Sequence, residues 1–143
     1  MFGWEALSRF WGSVQVDYGH GISYPKNADP TDNRILRMSK AANTDLTPLM
    51  EFWGIHPSKK DELRAQIAQA GLKPSPAIYD RLLHYQSIIP INHDAYMAHF
   101  NAIHPRGVRT NDKPLEDYSE KNATAARLVM QQILARNFPG GRP

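Results

Sequence analysis

Apolar residues three and four positions apart, in segments closed by proline, glycine or a capping residue, constrain this chain more than any other feature. That spacing is the mark of helices with one buried face. From Phe2 to Val16 it is carried by Leu7, Phe10, Trp11 and Val14. No capping residue precedes this first helix, as expected for a piece cut from a longer polypeptide, with a native start and a frayed first turn as the alternative. Thr31 or Asp32 caps a second helix running to about Ala42, with Ile35, Leu36 and Met38 on its apolar side. The third is short. Thr47 suits its N-cap, Pro48 its first helical position and Gly54 its stop. Leu49, Met50, Phe52 and Trp53 fill the space between and predict burial.

Ser58, with Asp61 three residues on, resembles a capping box and opens a fourth helix holding Leu63, Ile67 and Ala70 before Gly71. Ser75-Pro76 leads into a fifth, Ala77 to about Gln86, with Ile78, Leu82 and Leu83 inward. Asn92 caps a sixth, from His93 to about Ile103. A last helix spans about Glu116 to Arg136, with Leu128, Val129, Ile133 and Leu134 toward the core. Asp17 to Pro30 and Arg106 to Pro114 read as irregular connections, and Pro90 argues against a strand at Ile88 to Ile91. The expected fold is all-α, a compact bundle of about six or seven helices joined by Pro/Gly-rich loops. Residues 1–138 form one domain in this reading, and 139–143 a flexible tail.

Composition agrees with a packed domain: 143 residues, 41% hydrophobic and 22% charged. There is no cysteine, which excludes disulfides, thiolate zinc sites, iron–sulfur clusters and cysteine nucleophiles. No apolar run approaches the ~18 residues of a membrane span. The opening MFGWEALSRFW carries Glu5 and Arg9 and so does not read as a secretory signal. The net charge of +3 is spread along the chain, with Lys59-Lys60 the longest basic run, so no nucleic-acid partner is expected.

Chemistry is sparse. Six histidines are present, but none stands in the HExxH arrangement that puts two imidazoles and a general base on one helical face. His93 and His99 fall on opposite sides of a helix, and whether His84 meets them in space is not written in the sequence. Glu51, Asp61, Glu62, Asp94, Glu116 and Asp117 read as solvent-facing or capping carboxylates. There is no G-x-S-x-G elbow, no phosphate-binding loop and no dinucleotide fingerprint. No catalytic residue, metal ligand or cofactor is therefore assigned to this chain. Trp11, Phe52 and Trp53 lie on helical stripes and read as structural anchors. Tyr18, His20 and Tyr24 sit in the irregular loop from Asp17 to Pro30, and are the candidates for substrate contact.

The segment Asp45-Leu-Thr-Pro-Leu-Met-Glu-Phe-Trp-Gly-Ile55, with a short helix before it and an FGWEAL-type helix before that, resembles the C-terminal helical part of enhancin-like zinc metallopeptidases of the mucin-degrading type. The family carries N-L-T-P-F-F-x-x-W-G where this chain has Asp45 to Gly54, and the similarity covers roughly residues 2 to 58. The HExxH motif and the downstream Glu ligand of that family are absent here, so no catalytic residue carries over. The resemblance implies a non-catalytic helical subdomain of a secreted or cell-surface bacterial enzyme acting on glycoproteins, with zinc held by the parent. Its partners would be the metal-bearing half and a glycoprotein or peptide substrate, and Tyr18, His20 and Tyr24 would form a rim of the cleft. A free-standing helical interaction module is the alternative. An exposed apolar patch separates a subdomain that packs on a missing half from a module with a sealed surface.

Overall fold

A computed structural model describes residues 3–21, 30–103 and 119–143. Among them are seven helices and no strand: α1 (Gly3–Gly19), α2 (Pro30–Ala42), α3 (Thr47–Phe52), α4 (Lys60–Gln69), α5 (Pro76–Ser87), α6 (His93–Ile103) and α7 (Glu120–Asn137). The all-α expectation holds. A single bridge, Asp45 to Pro74, ties the connection before α3 to the one before α5. No helix of the described residues is long and apolar enough to cross a membrane.

Glycine ends two of these helices by the same device. Gly54 and Gly71 sit at φ +74° and +69°, where an L side chain is strained. In each case the following amide reaches back over the last turn, Ile55 N to the Met50 carbonyl at 2.9 Å and Leu72 N to the Ile67 carbonyl at 3.1 Å. Asn92 caps α6 as its position suggests, its Oδ1 accepting from Ala95 N at 2.8 Å.

Two other caps come from residues the sequence does not single out for them. Asp45, not Thr47, accepts from the start of α3, through Thr47 N at 2.8 Å. The side chains of Ser58 and Asp61 do not cap α4. Instead the buried Asp32 of α2 accepts from Ser58 N at 2.9 Å and Lys59 N at 2.8 Å.

The core is a single cluster supplied by α2, α3, α4, α5 and α7, with Ile35, Met50, Leu63, Ile78, Leu82 and Ile133 among its members. Ile78 and Leu82 are wholly shielded, and burial of such a side chain contributes about 1.5–3 kcal/mol. The core face of α7 is Ala123, Met130 and Ile133, so Leu128 and Val129, expected inward, are corrected to solvent. Leu83 is likewise exposed, one position off the Ile78–Leu82 line of α5. Phe138 is buried edge-on against Tyr79, and Arg142 forks onto Asp80 with both contacts at 2.8 Å. The segment read as a flexible tail thus begins beside a core ring and carries a specific ion pair.

Candidate functional site

α1 stands apart from that core. It contributes one buried residue, Ala6, and its principal packing partner is α2. The Arg9 guanidinium donates to the Ala41 carbonyl at 2.8 Å, and Asp17 pairs with Arg37 further along, so the two helices run antiparallel. Ala6 and the half-buried Phe10 and Asp17 face α2.

The rest of the apolar arc of α1 faces outward. Trp4, Leu7, Trp11 and Tyr18 are exposed and, with the half-buried Val14, follow the alternating three- and four-residue spacing of a helix–helix seam. Trp4 is 84% exposed, Trp11 56% and Tyr18 88%. Beside them runs a groove between α1 and α2 with almost no polar lining, shaped by Leu7 and Phe10 on one wall and Met38, Ala42 and Leu46 on the other. Phe10 meets Trp11 edge-on at 5.2 Å, which joins the groove to the stripe. The three large rings alone leave on the order of 400 Å² in water, taking ~150–250 Å² for each aromatic side chain. That is the range of the largest apolar patch on an ordinary monomer, and such a patch is often a functional surface.

Tyr18, proposed from sequence as a substrate contact, therefore lies on the aromatic stripe of α1 rather than in the loop after it. His20 is exposed just past the helix, its amide bonded to the Val16 carbonyl at 3.1 Å. Tyr24 lies outside the described residues.

The anchor expectation is corrected for both tryptophans. Trp11 points away from α2 because the smaller Ala6 and the neighbouring Phe10 take that contact. Trp53, 57% exposed, is the C-cap of α3, where the chain swings outward at Gly54. The buried side of that short helix is Pro48, Leu49, Met50 and Glu51. Phe52 does pack, stacked on Tyr85 at 5.0 Å with ring planes 12° apart.

Among the described residues no three histidine, aspartate or glutamate side chains come together as a metal-holding group, and this includes His84, His93 and His99. Glu51, read from sequence as a surface or capping carboxylate, is buried, and accepts from Arg136 at 3.2 Å and Asn137 at 3.0 Å. Nothing local marks it, because both partners lie on α7, far along the chain. No family model matches this chain, and no curated protein or solved structure matches it.

Proposed function

We propose that this chain is the non-catalytic helical subdomain of a secreted, enhancin-like zinc metallopeptidase acting on glycoproteins, and that α1 is the face that packs against the metal-bearing half. One observation carries the reading: the outward aromatic stripe Trp4–Trp11–Tyr18, which lies inside the segment that carries the resemblance. A subdomain severed from its neighbour leaves such a face uncovered. Covering about 400 Å² of it at ~25 cal/mol per Å² is worth about 10 kcal/mol before the cost of association. Tyr18 and His20 then stand at the edge of that interface, where a ring and an imidazole serve a peptide or sugar group.

The experiment combines this chain with the zinc-loaded, HExxH-bearing half of an enhancin-like enzyme from the same genome. Association is followed by sedimentation and activity by cleavage of a mucin-type glycoprotein. The expected result is no cleavage by this chain alone, with or without zinc, and a complex that Trp4→Ala/Trp11→Ala disrupts. Cleavage by the isolated chain, or no association with the metal-bearing half, overturns the proposal. Binding of a different helical protein through the same two tryptophans would assign the chain as an independent interaction module instead.

A further inference from the structure

A polar cleft lies where α3, α4 and α7 meet, and no residue of α1 lines it. Thr47 and Glu51 come from α3, Lys60 and Arg64 from α4, Arg136 and Asn137 from α7, and Asp45 borders it. Its two carboxylates are already committed. Glu51 accepts from Arg136 and Asn137, and Asp45 accepts from the Thr47 amide.

The cations are not matched in the same way. Among the described residues Lys60 pairs with no carboxylate, although it stands one helical turn from Arg64 on the same side of α4. Arg64 has only Asp61 at 4.0 Å, a fully exposed side chain that binds a surface cation weakly. Arg136 gives one N–H to Glu51, one of the five its guanidinium carries. Leu63 and Ile67 also line the cleft, and apolar walls strengthen any charge interaction beside them.

We infer that this cleft binds an oxyanion group, carried as a carboxylate, sulfate or phosphate on a larger ligand. Two guanidinium groups and an ammonium, from α4 and α7, line one small site together with Thr47. That donor set suits an oxygen-rich anion and offers little to a cation or an apolar group. The site stands whether or not α1 packs on a metal-bearing half.

The test titrates sodium sulfate, sodium phosphate and sodium acetate separately into the ¹⁵N-labelled protein at constant ionic strength, following backbone amide shifts. Saturable shifts are expected at Thr47, Lys60 and Arg64. Lys60→Ala/Arg64→Ala, at two exposed positions that leave the core intact, weakens the preferred anion by about tenfold or more. Lys121→Ala, an exposed cation of α7 outside the cleft, leaves binding unchanged. Tighter binding of sulfate and phosphate than of acetate assigns a sulfated or phosphorylated ligand, and the reverse order a carboxylate. Shifts that fail to saturate, or that survive in the Lys60/Arg64 double variant, overturn the inference. So does an equal loss in Lys121→Ala.

Discussion

α1 and α5 are both amphipathic, yet they spend their apolar residues in opposite directions. α5 turns Ile78 and Leu82 fully inward, against α3 and α7. α1 turns its largest side chains outward and gives the interior only Ala6. A helix that stabilises its own domain puts volume inside. α1 shows two tryptophans and a tyrosine to water, and those rings contribute little to the stability of the isolated chain.

The largest effect that tests this contrast is on the α5 side. Leu82→Ala should cost about 2–5 kcal/mol, because the site is closed on all sides and collapses poorly. Urea titration followed by far-ultraviolet dichroism measures it. A loss below about 1 kcal/mol would mean that α5 is no more of a core helix than α1.

Glu51→Ala comes next. It takes the acceptor from one N–H of the Asn137 amide, whose other bond goes to the Ile133 carbonyl, and loosens Arg136, at a cost of about 1–3 kcal/mol, less than for a fully enclosed pair because Arg136 is 38% exposed. Thermal melting reads it, and Glu51→Gln, which keeps one acceptor, should recover part of the loss.

Trp11→Ala and Trp53→Ala should each change the stability of the isolated chain by less than about 1 kcal/mol, since both rings are more than half in water. Dye binding by exposed apolar surface should fall in Trp11→Ala. A destabilisation comparable to that of Leu82→Ala would place Trp11 back among the core residues and erase the contrast.

The smallest effect lies at Asp80. The hydrogen bond from Arg142 holds the Asp80 carboxyl below the usual aspartate value, against an opposing cost of desolvation and with a lesser contribution from the Arg142 charge. A depressed carboxyl pKa stabilises the fold above the unfolded-state value, and that contribution fades as pH falls through the folded-state value. The pair is exposed on both sides, so the acid limb of the stability curve should differ only slightly between the parent and Asp80→Asn. Stability measured at neutral pH and again below the ordinary carboxylate range shows whether the difference vanishes at the acid end, as the sign requires.

Much of the fold was legible because its punctuation is local. Gly54, Gly71 and Asn92 each act within one turn of where they stand, and the helices they bound appear where expected. What the sequence hides is the identity of a neighbour. Thr31 or Asp32 reads as the cap of α2, and the sequence gives no sign that the Asp32 carboxylate also reaches the residues leading into α4, across the packing of α2 on α4. In α7 the adjacent apolar residues Leu128 and Val129 competed with Met130 for the inward position, and only the line shared with Ile133 settles which side α3 and α5 cover. The candidate face was half legible. Aromatic residues crowd the first helix in plain sight, whereas the choice of Ala6 over Trp11 as the contact with α2 depends on how closely two backbones approach. The basic cleft was not legible, since its residues come from three separate stretches of chain.

The reach of Asp32 also bears on how the protein comes apart. The two residues that lead into α4, Ser58 and the N-cap Lys59, have their amides held by a side chain of α2, so the start of α4 loses that anchor whenever α2 departs. Local openings that expose such amides occur in cooperative units rather than residue by residue. The amide protons of Ser58 and Lys59 should therefore exchange with deuterium at the same opening free energy as the middle of α2, while α1 opens separately and more often. Between them, two hydrogen bonds make one unfolding unit of segments that the chain itself keeps far apart.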